Sequence, residues 1–78
     1  MVSGEFDQVL DASGLSCPLP LLKAKQALNR LQSGAVLKVI ATDAGSVRDF
    51  KAYTDQCDHE LLQSFTEDER YIYIIRRS

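Results

Sequence analysis

The sequence is poor in the residues from which metal sites and redox dithiols are built. It has two cysteines, Cys17 and Cys57, no Cys-x-x-Cys pair, and a single histidine, His59. A structural zinc site draws four ligands from closely spaced pairs, so no metal ligands are assigned. There is no glycine-rich phosphate loop, nothing marks a small-molecule pocket, and no cofactor is expected. No apolar run approaches the roughly 20 residues of a spanning helix. The N-terminal "MVSGEFDQ" lacks the basic start and apolar block of a signal peptide. The chain therefore reads as cytoplasmic, with no membrane partner and with its thiols reduced. A basic surplus is missing too. The net charge of −2 argues against direct nucleic-acid binding, which calls for a basic stripe. The local surpluses at Lys23, Lys25 and Arg30, and at Arg76 and Arg77, read as solvated surface or as a dock for an acidic protein partner.

What remains is an ordinary globular composition, 45% apolar and 26% charged. Seventy-eight residues allow one domain, 1–78, without repeats or linkers, and too little chain for two cores. "FDQVLDA" (6–12) reads as a strand closed by Ser13-Gly14. From Pro18 to Gln32 the pattern is helical, with Leu21, Ala24, Leu28 and Leu31 on one face. Arg30 suits the last turn, and Gly34 can supply a left-handed residue after it. "AVLKVIAT" (35–42) reads as an interior strand. Asp43-Ala44-Gly45-Ser46 forms a turn, with Ser46 as N-cap of a helix running to about Gln56. Its stripe is Val47, Phe50, Thr54 and Cys57. "HELLQSF" (59–65) and "YIYIIRR" (71–77) read as strands joined by a polar turn, 66–70.

The order β-α-β-α-β-β predicts an α/β two-layer sandwich, with both helices on one face of the sheet and a closing antiparallel hairpin. That topology separates the cysteines. Cys17 lies where the first strand ends and the first helix begins. Asp43, Ser46, Arg48 and Asp49 collect on the same sheet edge. Cys57 belongs to the opposite edge, about 20 Å away for a six-residue strand. A disulfide needs Cα atoms within about 7 Å, so no intramolecular bond is expected. Cys57 reads as a small packed hydrophobe.

In Cys17-Pro18-Leu19-Pro20, Pro18 suits the first helical position and Cys17 is held before it as an extended cap. Pro20, still in the first turn, loses little by lacking a donor. The prolines present the sulfur instead of burying it. The positive helix end should lower the thiol pKa, only modestly, because acidic side chains on that edge oppose it. Protease-type catalysis would need a histidine beside the thiolate, and His59 lies on the far edge. Dithiol exchange would need a nearby resolving cysteine, and Cys57 is misplaced. A lone exposed sulfur that receives a group and hands it on fits what is left.

"LDASGLSCPLP" resembles the signature of the TusA (SirA-like) family of sulfur-carrier proteins, with a Cys-Pro-x-Pro motif at the start of the first helix. The likeness runs from Leu10 to Arg77 and includes "LKVIATDAGSVRDF", "HELL" and "YIYIIRR". It implies a four-stranded mixed sheet in order 1-2-4-3, like the C-terminal domain of translation initiation factor three. It also implies that Cys17 accepts sulfane sulfur from a cysteine desulfurase or rhodanese-like donor and holds it as a persulfide. An acceptor protein then takes it, for tRNA thiolation, sulfur oxidation or molybdenum-cofactor metabolism. Pro18 and Pro20 carry over as the rigid frame, and Asp43 and Asp49 as acidic residues beside it. Leu19 and Lys23 join these two as candidate partner contacts. Two departures stand out: Leu19 replaces an acidic residue found between the prolines in several members, and Ala44 stands where proline often follows the first acidic residue. The partner surface is therefore expected to differ from that of the tRNA-thiolation members.

Such a protein is a sulfur relay more than a multiple-turnover enzyme, and one that meets two partners in turn is expected to be monomeric. Two other readings stay open. One is a regulatory protein-interaction module without sulfur chemistry, and the other is a thiol redox sensor at Cys17. The acidic Glu67-Asp68-Glu69 shares the Cys17 edge if the third strand is parallel to the second.

Overall fold

A computed structural model describes residues 6–78. The elements are β1 (Gln8–Ala12), α1 (Leu19–Arg30), β2 (Val36–Ala41), α2 (Gly45–Gln56), β3 (Glu60–Glu67) and β4 (Arg70–Arg76). They form one sheet in the order β1-β2-β4-β3, the order implied by the resemblance. β1 and β2 are parallel, while β4 pairs antiparallel with both β2 and β3. The signal-peptide reading rests partly on residues 1–5, which lie outside the described residues. Among the described residues no helix is long and apolar enough to cross a membrane.

Strand alternation decides which side chains the helices cover. Leu37, Val39 and Ala41 of β2 are fully buried, and so are Tyr73 and Ile75, their neighbours on β4. Against them α1 sets Ala24, Ala27 and Leu28, and α2 sets Phe50. The small alanines let α1 approach the sheet closely, and Leu21 and Leu31 close the two ends of its stripe from half-buried positions. Phe50 stacks on Tyr73 with ring centroids 4.3 Å apart and planes 11° from parallel. Offset aromatic pairs of this kind add about 0.5–1.5 kcal/mol beyond their burial. The last turn of α1 receives a cation from the far end of the chain: Arg77 Nε donates to the Leu28 carbonyl at 2.7 Å, where the helix dipole favours it.

Several boundaries differ from the sequence reading. α1 starts at Leu19, with Pro18 as the capping residue (φ −101°, ψ 20°), and the Cys17–Pro18 peptide bond is cis. Pro18 is thus not the first helical residue, and Cys17 sits one position outside the cap. Pro20 is in the first turn as expected, and it is buried. The helix stops at Arg30, with an extended Leu31 closing it, and Gly34 (φ +87°) serves the next turn instead. α2 begins at Gly45 behind Ala44, so Ser46 is no cap; it lies inside the helix, buried, its hydroxyl 2.7 Å from Tyr73 Oη. Buried inside the helix, that hydroxyl pairs with the Tyr73 phenol instead of a free backbone N–H.

The α2 stripe is also narrower than predicted. Phe50 is buried, but Val47 is exposed and Cys57 half-buried. With Phe50 centred on Tyr73, α2 covers β4 and leaves β3 uncovered. An open groove of about 640 Å³ therefore lies between Val47, Lys51 and Thr54 on one side and Leu61 and Ser64 on the other. The polar turn predicted at 66–70 shrinks to Asp68 and Glu69, both with positive φ (52° and 64°). That is the backbone of a type I′ hairpin, whose twist matches the strands.

Candidate functional site

Ala12 pairs with Ala41 and Ala41 with Tyr71. The C-terminal ends of β1 and β2 and the start of β4 therefore share one edge of the sheet. Both helices begin on that edge. The loop 13–17, from Ser13 to Cys17, is tied down along its length. Ser13 N–H donates to Asp11 Oδ1 at 3.0 Å, Gly14 N–H to Thr42 Oγ1 at 2.8 Å, and Cys17 N–H to Asp43 Oδ2 at 2.9 Å. Gly14 adopts φ +82°, a conformation open to glycine at little cost. Two side chains from the other βα junction, Thr42 and Asp43, thus hold the cysteine loop at Gly14 and at Cys17.

Cys17 is a free, exposed thiol. Its Sγ donates to Asp49 Oδ2 at 2.5 Å. Asp49 reaches it from the first turns of α2 because Gly45, at the start of that helix, packs directly against the cysteine. A Cβ on Gly45 would lie 3.2 Å from Cys17 Cβ and 3.0 Å from Asp43 Oδ2. Asp43 fixes the cysteine backbone, Asp49 holds its sulfur, and Gly45 makes room for both. Asp43 and Asp49 were legible in the sequence as acidic residues of this edge. Gly45 was not singled out, although a glycine inside the acidic turn was the available signal.

The electrostatics overturn one expectation. The Cys17 thiol is pushed above its ordinary pKa, first because Asp49 accepts its hydrogen, then by desolvation and by the charges of Asp49 and Asp43; Arg48 acts the other way. The lowering expected from the helix start does not dominate, for a local reason. The N–H of Leu19 is spent on the Ser16 carbonyl at 2.8 Å. Those of Ser46 and Val47 are spent on Asp43 and Ala44. Among the described residues no backbone N–H bonds the sulfur, whereas a carboxylate does accept from it. A hydrogen bond to the neutral form raises an acid's pKa.

On the first turns of α1, the helix that follows Cys17, Leu19 (42% exposed) and Leu22 (45%) leave apolar surface, whereas the exposed Val47 of α2 opens onto the groove beside β3. Lys23 is exposed beside the two leucines. Helical spacing gave Leu22 no role, and it assigned to the core a Val47 that the structure leaves exposed on the groove. The Glu67–Arg70 hairpin turn also lies along this edge, since β3 runs parallel to β2 on the far side of β4.

The far edge holds Cys57 and His59. Cys57 Sγ is 3.9 Å from the His59 carbonyl, and His59 Nδ1 accepts the Ser78 N–H at 3.1 Å. Neither side chain takes part in the Cys17 cluster. Among the described residues no group of three His, Cys, Asp or Glu side chains is placed to hold a metal ion.

A family model described as sulfurtransferase TusA matches residues 8–77. The chain belongs to the TusA family. The sulfur carrier protein TusA of Allochromatium vinosum is 54% identical over 74 residues, which cover 95% of this chain and 97% of that protein. The TusA sulfur carrier of Pseudomonas putida strain GB-1 is 42% identical over 71 residues, 91% of this chain and 89% of that one. In fold, the chain is similar to the crystal structure of a SirA-like protein from Desulfitobacterium hafniense. The TM-score is 0.75 at 24% identity, covering 90% of this chain and 95% of the other. The β1-β2-β4-β3 sheet with its two helices is thus an arrangement found in a solved structure.

Proposed function

We propose that this protein is a sulfur carrier that accepts sulfane sulfur as a persulfide on Cys17 and relays it to an acceptor protein. The observation that carries the reading is the exposed thiol of Cys17, fixed through its backbone to Asp43 and through its sulfur to Asp49. Membership of the TusA family, whose similar members are named sulfur carriers, supports the same role.

The donor is a cysteine desulfurase or a rhodanese-like protein, and the acceptor a second protein thiol. Both meet the edge formed by Leu19, Lys23, Asp43 and Asp49, to which the exposed Leu22 adds apolar area. Aliphatic contacts ringed by charge are the usual anatomy of a transient interface. The protein acts as a single cytoplasmic domain and a monomer, meeting donor and acceptor in turn through this one edge. Pro18 and Pro20 hold the loop stiff where partners approach.

Rates of modification separate this function from a peroxide sensor or an interaction module. The purified protein is incubated either with a cysteine desulfurase, cysteine and pyridoxal phosphate, or with hydrogen peroxide, and followed by intact mass. A sulfur carrier gains one sulfur atom faster than it is oxidised. Faster sulfenic acid or disulfide formation identifies a sensor. A Cys17→Ser variant with full activity in cells identifies an interaction module.

A further inference from the structure

The carrier reading leaves one atom unaccounted for, the proton on Cys17. A thiol must lose it for its sulfur to attack, and the donor's departing thiolate leaves more readily if it gains one. Among the described residues, the one side chain hydrogen-bonded to Sγ is the Asp49 carboxylate, at 2.5 Å. The charged groups facing the sulfur are Asp49 and Arg48 from α2 and Asp43 from the turn before it. Asp43 is committed to the Cys17 N–H through the same Oδ2 that borders Gly45, so it positions the residue. Arg48 presents a guanidinium, which has donors only and no acceptor for the hydrogen. Asp49 alone is in reach of the sulfur and able to take its hydrogen.

We propose that Asp49 is a catalytic residue of sulfur uptake, accepting the Cys17 proton and returning it to the donor's leaving thiolate. The proposal rests on the persulfide reading of Cys17. The step balances as a thiol–persulfide exchange. As Asp49 takes the hydrogen, Cys17 Sγ attacks the outer sulfur of a donor persulfide, R–S–S–H, and a new S–S bond forms. The donor's own S–S bond breaks, and its electron pair leaves on R–S⁻. The proton held by Asp49 passes to that thiolate, giving Cys17–S–S–H and R–S–H. Asp49 ends as the carboxylate it began as, and the sulfane sulfur has changed hosts without net oxidation or reduction. Release of sulfur to an acceptor thiol is the same sequence in reverse.

A carboxylate on the thiol has opposite effects on two reactions, and this makes the role separable from mere support. Alkylation by iodoacetamide needs only thiolate, since its leaving iodide takes no proton. Uptake from a persulfide also expels a thiolate, whose departure is helped when the proton is returned to it. In Asp49→Asn the negative acceptor is gone, so Cys17 ionises more easily, but nothing returns the proton. The experiment measures both rates between pH 6 and about 10, across the ordinary thiol range, on the peptide containing Cys17. The reagents are iodoacetamide and cysteine persulfide. The expected result is faster alkylation at pH 7 with a profile displaced to lower pH, together with sulfur uptake slowed at least about tenfold, within the usual reach of general acid–base catalysis. Asp49→Glu should recover much of the uptake and return the alkylation profile toward wild type, which also covers the case of an Asp49→Asn variant that folds poorly.

An unchanged alkylation profile, or two rates that move in the same direction, overturns the role. So does undiminished uptake in Asp49→Asn. If wild type takes no sulfur from the persulfide at any pH, the carrier reading itself falls and takes the Asp49 assignment with it. Uptake by wild type with no Asp49 dependence overturns the assignment alone.

Discussion

Gly45 and Cys17 pack so closely that a methyl group on the glycine would lie 3.2 Å from the cysteine Cβ. The same methyl would lie 3.0 Å from Asp43 Oδ2, which anchors the Cys17 N–H. Alanine at this helical position would gain up to about 1 kcal/mol of propensity over glycine, so stability and function should part company. We expect Gly45→Ala to keep its melting temperature within a few degrees of wild type. It should accept sulfur several-fold more slowly, because the Asp43–Cys17 contact must open to admit the methyl. Paired melting curves and sulfur-uptake rates check this.

Ser46 and Tyr73 share the buried hydrogen bond of the core, at 2.7 Å. Tyr73→Phe keeps the ring on Phe50 but leaves the Ser46 hydroxyl without its partner, which costs about 1–3 kcal/mol. Removing that hydroxyl as well, in Ser46→Ala/Tyr73→Phe, should cost less than the two single changes added together. Urea unfolding of the four proteins measures the coupling.

Much of this could be read from the chain. The order of elements followed from hydrophobic period, and the two-edged topology placed Cys17 with Asp43 and Asp49 and sent Cys57 and His59 away. What stayed hidden depends on contacts across the sequence. Ser46 looked like a cap because nothing local announces Tyr73, which is 27 residues away and supplies a buried partner. Val47 looked like core because helical spacing cannot show that α2 is centred on β4 and leaves β3 open. The rise in the Cys17 pKa was hidden for a similar reason. Sequence shows a helix start, but not that the Leu19 N–H is already spent on the Ser16 carbonyl while a carboxylate from α2 reaches the sulfur. The middle position of β4 came from the family resemblance, not from periodicity.

The β3–β4 turn puts two non-glycine residues, Asp68 and Glu69, at positive φ. Asparagine followed by glycine is the preferred pair for such a turn. Replacing Asp68 by Asn and Glu69 by Gly should therefore stabilise the protein by about 1 kcal/mol, since left-handed backbone costs an ordinary residue roughly 1–2 kcal/mol. Thermal unfolding reads the gain, and sulfur uptake should be unchanged if the acidic turn serves the fold alone.

The raised Cys17 pKa has a signed consequence for pH. Its proton is held more tightly in the folded protein than in the unfolded chain, through Asp49 first and burial second. The associated stability is complete below the thiol's unfolded pKa, near 8.5, and is lost as pH rises through the folded value. Wild type should therefore lose more stability than Cys17→Ser over that alkaline window. Denaturant melts of the two proteins at neutral and alkaline pH compare the slopes, and equal slopes would mean that the Asp49 bond does not persist in solution.

The most direct test is to find where the sulfur goes. The protein is loaded by a cysteine desulfurase with cysteine, then fragmented intact in the mass spectrometer. One added sulfur atom should lie on fragments containing Cys17, be removed by a reductant, and be absent from Cys17→Ser, while Cys57→Ser loads as wild type does. Sulfur found on Cys57, or loading that persists in Cys17→Ser, would contradict a carrier built on Cys17.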